Sequence, residues 1–322
     1  MKCLNLKEHF FLFAIFACTF TACKKSETAE NMEAAGQTLL KIIGGSSPAS
    51  IDKKTIDFIA APQKLLAVQI RRDVPNENEL NKTLVVTVKD DSAAVTAANP
   101  AHIQFPAAWY SFETDGVKTG GQGGTYTFTF KPGEFSKEIY ITIPDATVMT
   151  PGATYGLGFT IISAGEGGTI STLKSVVIEI VTTNTWDGVY QVDFCNYHPT
   201  LNTGYTCSTT VVHLITSGDR SVQVYWPAFS VFGNPSILAG NLNYFGQLEP
   251  ILFINTATHA VVVHNACASC FSIFSMAVNW PNNYDPVTKT FNLKWGYSYA
   301  VPGVFDAGCR EWTQTLKYIG PR

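Results

Sequence analysis

Charge is scarce in this chain of 322 residues: only 15% are Asp, Glu, Lys or Arg, and the formal net charge is -3. No basic run follows the N-terminal segment. The counterion release that drives nucleic-acid binding therefore has no source, and nucleic acid is not an expected partner. No stretch sustains a 3.6-residue apolar period, which argues against a helical fold. Long apolar runs are missing too. The longest, Phe10 to Phe20, would rise about 16 Å as a helix against roughly 30 Å of hydrocarbon, too short for a membrane span. The chain lacks a Gly-x-Ser-x-Gly elbow, a Gly-Lys-Ser/Thr phosphate loop and a His-Glu-x-x-His helix, so the commonest hydrolase, nucleotide and zinc-protease signatures are excluded. Cysteine is absent between Lys24 and Trp186. What is present is apolar: 46% hydrophobic and 12% aromatic residues, a composition that folds and at this length suits two domains.

The N-terminus carries Lys2 and Lys7, then the short apolar run, then the small residues Thr21 and Ala22, the pattern of an export signal. Phe20-Thr21-Ala22-Cys23 resembles the lipobox of bacterial lipoproteins, with Phe20 in place of the more usual Leu. In that family the Cys becomes the lipidated first residue. Cys18 also follows Ala, but bulky Phe16 and apolar Phe20 flank it, whereas Cys23 precedes the solvated Lys24-Lys25-Ser26-Glu27. The reading is a signal peptide over 1–22, lipidation at Cys23 and a flexible tether over 23–35. Acyl chains contribute about 0.8 kcal/mol per buried CH₂, enough in multiple copies to anchor a protein without a spanning helix.

Beyond the tether, period-2 patterns recur. Thr125 to Lys131 alternates Thr with Tyr126, Phe128 and Phe130, placing three aromatics on one face of a strand. Further strands are predicted at 38–43, 65–71, 83–89, 138–143, 155–162 and 174–181, with turns at Lys131-Pro132-Gly133-Glu134, Thr150-Pro151-Gly152 and Gly165-Glu166-Gly167-Gly168. Gly120-Gly121-Gln122-Gly123-Gly124 leads into a strand, so it reads as a hairpin loop rather than a phosphate cradle, which must open a helix. Seven strands with regular turns predict an Ig-like antiparallel β-sandwich over 36–183. From Trp186 on, about eight strands are predicted: 186–192, 209–216, 221–226, 251–255, 259–264, 271–278, 289–298 and 312–318. Sequential hairpins at this spacing predict an antiparallel β-barrel or second sandwich over 186–322. The fold class is all-β.

Several segments of the first domain, Ile70-Arg71-Arg72-Asp73, Glu79 to Val86, Phe130 to Lys137 and Tyr155 to Ile170, resemble the Bacteroidetes domain of unknown function 1735. That family is a β-sandwich at the N-terminus of surface lipoproteins, often encoded near glycan-uptake systems, and it can precede a family 18 glycoside hydrolase barrel. The hairpin Tyr284 to Phe291 and the closing Arg310 to Arg322 resemble the smaller β-rich partners that follow it, some of them lipocalin-like or calycin-like. The resemblance implies a surface-exposed, lipid-anchored protein of the outer membrane, with polysaccharide and glycan-uptake proteins as partners.

The acidic series of family 18 enzymes, Asp-x-x-Asp-x-Asp-x-Glu, is missing. The acids after Trp186 are Asp187, Asp193, Asp219, Glu249, Asp285, Asp306 and Glu311, several of them in turn contexts. Nothing suggests the carboxyl pair a glycosidase needs, and the expectation is a non-enzyme without cofactor or metal. Cys195, Cys207, Cys267, Cys270 and Cys309 lie in the second domain; for an exported chain disulfides are expected before zinc, although Cys267-x-x-Cys270 has metal-ligand spacing. Five cannot all pair, so one thiol should remain. His213 and His264 end Val-rich segments and read as structural. Five of six Trp residues fall in this domain. Trp280, Asn282, Asn283 and Tyr284 form a loop-like cluster of aromatics and amides suited to polyol recognition, with Trp226 a weaker candidate; a structural hairpin is the alternative. The expected function is glycan binding or assistance to glycan uptake. A carrier of lipid or apolar ligand in a barrel lumen, and a structural or adhesive lipoprotein, are the alternatives.

Overall fold

The computed structural model describes residues 36–244, 248–267, 274–298 and 308–322. The predicted signal peptide, Cys18, Cys23, the tether, Cys270 and the first three residues of the predicted strand 271–278 lie outside the described residues. The fold is all-β, with sandwiched sheets followed by one nearly closed, barrel-like sheet.

The first part contains β1 (Thr38–Ile42), β2 (Ser50–Asp57), β3 (Gln63–Asp73), β4 (Leu84–Asp90), β5 (Ile103–Gln104), β6 (Ser111–Thr114), β7 (Val117–Thr119), β8 (Thr125–Phe130), β9 (Ser136–Ile143), β10 (Tyr155–Ala164), β11 (Gly168–Ile170) and β12 (Ser175–Thr183). Two short helices, α1 (Glu77–Leu80) and α2 (Ser92–Ala98), interrupt them. One sheet runs β11-β1-β3-β9-β6; the facing sheet runs β2-β12-β10-β4-β8-β7. Alternation decides which side chains meet between them. Tyr126, Phe128 and Phe130 of β8 point inward with Val86 and Val88 of β4 and Ile139 and Ile141 of β9, all buried in one core. The sandwich is not purely antiparallel: β1 pairs parallel with β11, β12 with β2, and β10 with β5. β2, Ser-Ile-Asp-Lys-Lys-Thr-Ile-Asp, escapes sequence detection because its charges mask the alternation. Eight register pairs with β12 hold it at the sheet edge, where charged side chains are tolerated and discourage further pairing.

Arg72 on β3 points into this fold and is fully buried. Among the described residues no carboxylate forms an ion pair with it, although Glu134 lies close enough to act on its charge. Instead its guanidinium donates to four main-chain carbonyls: Lys82 O (2.7 Å), Leu80 O (2.8 Å), Glu134 O (2.7 Å) and Lys131 O (3.3 Å). The side chain thus joins the turn after α1 to the Pro132-Gly133 turn, with Phe130 beneath it at 5.3 Å.

The second part contains β13 (Gly188–His198), β14 (Asn202–Gly218), β15 (Ser221–Trp226), β16 (Val231–Phe232), β17 (Pro235–Leu238), β18 (Asn241–Tyr244), β19 (Pro250–Ile254), β20 (Val261–Asn265), β21 (Ser275–Met276), β22 (Asn283–Asp285), β23 (Thr290–Tyr297) and β24 (Arg310–Gly320). The main sheet runs β20-β19-β15-β14-β13-β24-β23-β21. Its two edges meet at a seam: Val261 N–H donates to Asn282 O (2.8 Å), Tyr284 N–H to His259 O (2.9 Å), and Ala260 bridges Asn283. Inward side chains fill the interior, including Trp226, Trp295, Trp312, Phe194 and Phe291.

A polar belt ties β17 to the wall. Asn196 exchanges hydrogen bonds with both main-chain groups of Ile237 (3.0 and 2.8 Å), Trp312 Nε1 donates to Ser236 Oγ (3.1 Å), and Gln314 Nε2 donates to Asn234 Oδ1 (2.9 Å). Trp295 Nε1 completes the chain by donating to Gln314 Oε1 (2.8 Å). These groups are buried, and each would cost about 1–3 kcal/mol if left unpaired, so β17 is held as an internal element rather than a loop.

Replacing Arg72 by Lys leaves part-buried carbonyls at the two turns that one ammonium cannot reach together. Arg72→Lys is expected to lower stability by about 3 kcal/mol in urea unfolding; a shift below about 0.5 kcal/mol would show that the turns are held by other contacts.

Candidate functional site

The sequence places its best recognition cluster at 280–284, and the structure puts most of that cluster in the barrel seam. Tyr284 is buried against Phe291 (4.7 Å between ring centres) and edge-on to Trp186 (6.2 Å). Asn282 is buried, with a positive φ of 43°. Its Nδ2 donates to Ala277 O (2.8 Å) and its Oδ1 accepts from Lys294 N–H (2.8 Å). Asn283 is half-buried on β22 and bridges Ala260. Trp226 lies fully buried in the core, its Nε1 bonded to Thr210 Oγ1 (3.1 Å). As surface sugar contacts, Tyr284, Asn282 and Trp226 are therefore corrected to structural residues, because closing the sheet requires their rings and amides inside. Trp280 alone of the five presents a large exposed ring, 39% accessible.

Trp280 stands on the outer wall, where register assembles further side chains. On β23, Trp295 and Leu293 face the core, so Lys294 between them faces out. The Lys294 Nζ lies 6.0 Å from the Trp280 ring centre and 6.0 Å from that of Tyr205, a residue of β14 that is 55% exposed. Both rings thus flank one ammonium, a cation–π arrangement. Tyr197 of β13 packs 5.8 Å from Tyr205. Beside Lys294 lies Glu311 of β24, with Oε1 at 3.9 Å and a side chain only 2% exposed. Burial pushes the Glu311 carboxyl up to about 7. Cys309 retains its thiol, buried, with Sγ 4.0 Å from Glu311 Oε2.

The same wall continues as a groove of about 510 Å³ lined by Asp193, Cys195, Cys207, Thr209, Thr313 and Thr315. Cys195 and Cys207 are directly opposed in the β13–β14 pair and form a disulfide. That bridge ties down Asn202 to Ser208, a polar stretch with no strand signal of its own. Asp193 accepts from Thr209 Oγ1 (2.8 Å), which holds its carboxyl below the ordinary range, aided by Lys317. Cys267 is also disulfide-bonded. No cluster of three metal-ligating side chains occurs among the described residues.

The remaining acids divide by role. Asp187 accepts from Thr216 N–H (2.7 Å) and pairs with Arg322 (2.6 Å), and Asp285 caps its own turn through Val287 N–H (2.9 Å) and Thr288 Oγ1 (2.7 Å). Asp219 is exposed beside Arg220 (3.2 Å). Asp306 lies outside the described residues. A second groove, on the sandwich, is lined by Glu113, Asp115, Glu134, Glu138, Lys137 and Tyr140. Its polar groups are already engaged: Lys137 Nζ contacts Asp115 (2.6 Å) and Glu134 (2.9 Å), Glu113 pairs with Lys64 (2.7 Å), and Tyr140 Oη donates to Glu138 (2.8 Å). That pairing leaves the barrel wall as the candidate site. Tyr205 and Lys294 escape sequence reading because neither sits in a motif, although the Phe-Asn-Leu-Lys-Trp alternation does put Lys294 on the face opposite Trp295.

No family model matches the chain and no curated protein matches it. Solved structures do resemble it. A Bacteroides ovatus protein of unknown function has a TM-score of 0.51 at 10% identity, covering 86% of this chain and 94% of that one. A Bacteroides ovatus multidomain protein including DUF1735 has a TM-score of 0.48 at 10% identity, covering 87% and 93%. EndoBT-3987 of Bacteroides thetaiotamicron, solved with a Man5GlcNAc product, has a TM-score of 0.28 at 17% identity, covering 44% and 30%. At such identities a likeness speaks to fold alone.

Glu311 carries a pH signature. A carboxyl at about 7 in the folded chain against about 4.3 unfolded binds the extra proton when folded, so its effect on stability declines as pH rises through that window. Glu311→Gln should remove this decline, making the variant's urea midpoint gain on the parent's between pH 5 and pH 8; parallel profiles would contradict the assignment.

Proposed function

We propose that this protein is a non-catalytic, lipid-anchored protein of a Bacteroides-type outer membrane surface, and that it binds glycan along the outer wall of its C-terminal barrel. The observation that carries the binding reading is the pair of exposed rings, Trp280 and Tyr205, flanking Lys294 at the end of a hydroxyl-lined groove. Aromatic faces are electron-rich and attract the polarised C–H groups of a pyranose, while Thr209, Thr313, Thr315 and Asp193 offer donors and acceptors for sugar hydroxyls. Asn282 supports the site from below, since its amide fixes the turn that carries Trp280.

The packing weighs against the apolar-carrier alternative. Three tryptophans and the belt around β17 occupy the barrel interior, where a carrier of that kind would need an apolar lumen. The anchor rests on the lipobox-like Phe20-Thr21-Ala22-Cys23, and the glycan context on the resemblance to domain of unknown function 1735.

Two experiments test the proposal. Affinity electrophoresis through gels containing a panel of polysaccharides should show retardation by at least one, reduced tenfold or more by Trp280→Ala with Tyr205→Ala; unchanged retardation in the double variant would remove the site. Separately, mass spectrometry of the membrane fraction should find acyl chains on Cys23, and an unmodified Cys23 in soluble protein would refute the anchor.

A further inference from the structure

We propose that one end of the barrel carries a second glycan-contact surface, made by Phe229, Tyr244 and Leu242, and that it takes uncharged sugar chains. This rests on the glycan-binding reading above and adds a separate site to it.

Two hairpins place the rings. β15 turns back into β16 through residues 227–230, with Phe229 N–H donating to Trp226 O (3.2 Å) and Ser230 at a positive φ of 54°. That turn lays Phe229 on the buried Trp226, with 4.5 Å between ring centres. β17 and β18 form the other hairpin. The polar belt buries β17, and Asn202 clamps its end by accepting from Ala239 N–H (3.1 Å) and donating to Ile237 O. β18 stays outside with all four residues exposed. Tyr244 opposes Pro235 and Leu242 opposes Ile237. Cross-strand partners share a face, so Tyr244 and Leu242 extend the apolar side of β17 out to solvent. There the Tyr244 ring meets Phe229 at 5.6 Å and an angle of 54°. These rings are 38% and 40% exposed. Exposed apolar surface on a fixed backbone marks a contact site, and its rigidity lowers the entropy lost on binding.

Two observations set the ligand class. No Asp, Glu, Lys, Arg or His occurs from 221 to 248, so neither hairpin offers a counter-charge to an ionic ligand that must shed its water. The interior beneath is filled by Trp226, Trp295 and Trp312, so a ligand here is covered on one side only. A purely apolar molecule would keep its other side in water. A pyranose suits a one-sided platform, since its C–H face packs on the rings while its hydroxyls stay hydrated. The two glycan surfaces are also neighbours: Asn202, which clamps the hairpin, precedes Tyr205 of the wall site by three residues on β14, about 10 Å along a strand. A polymer touching both gains from the high effective concentration of its second contact.

The test uses the full mature chain carrying Trp280→Ala with Tyr205→Ala, which removes the wall rings, in affinity gels containing neutral galactan, mannan, xylan or polygalacturonate. At least one neutral polymer should still retard this background, and more strongly than polygalacturonate. Raising NaCl from about 0.05 to about 0.5 M should leave that retardation unchanged, because no charge is there to screen. Adding Tyr244→Ala should reduce it at least tenfold, whereas Tyr244→Phe should keep it within twofold. Phe229→Ala should act like Tyr244→Ala; Tyr244, exposed on an edge strand, carries the test should Phe229→Ala lower the urea midpoint. A background that no neutral polymer retards, retardation as strong in polygalacturonate, or no effect of Tyr244→Ala would overturn the proposal while leaving the wall site intact. Binding of the uncharged dye Nile red that Tyr244→Ala abolishes and no polysaccharide displaces would overturn the ligand class. Retardation of the parent by no polysaccharide would overturn both glycan readings.

Discussion

A curved sheet must satisfy the main-chain groups along its two edges, and in the second half of this protein that requirement organises nearly everything else. The bonds between 259–261 and 282–284 bring the edges together. Closing the sheet there demands a left-handed turn at Asn282, whose amide braces the turn from both sides. Once the turn is set, Tyr284 has no course but inward and Trp280 none but outward. The exposure of the Trp280 ring is thus a by-product of how the edges are joined.

Inside the closed sheet a second polar arrangement excludes solvent. Asn196, Ser236, Asn234 and Gln314 are buried side chains whose partners come from strands distant in sequence. Such groups are tolerated only when fully engaged, and the engagement is what turns Pro235 to Leu238 into an internal strand. The sandwich uses a different device for a similar need. Arg72 makes five hydrogen bonds from three nitrogens to four carbonyls at two turns, since a planar guanidinium can serve several acceptors at once.

Much of the architecture is legible along the chain because alternation is a local property. Thr125 to Phe130 reads as a half-buried strand and is one, and the glycine run before it is the hairpin that β7 and β8 require. Where the pattern is locally silent, the strand is held by its neighbours instead. β2 is polar and survives through pairing with β12; the start of β14 is polar and survives through pairing and the disulfide. The site divides in the same way. The exposed Trp280 is visible in a Pro- and Asn-rich loop, but the companions Tyr205 and Lys294 lie 75 and 14 residues away in sequence, and only register brings them together.

The sequence by itself determined the all-β class, the alternation of faces, the paucity of charge and the clustering of cysteine and tryptophan in the second half, because each is written in composition or in residues two apart. Tertiary structure decided which tryptophans are core and which is surface, which cysteines face each other, and that a lysine stands between two rings. Those outcomes depend on strand register, and register is set by hydrogen bonds between segments that share no local sequence signal.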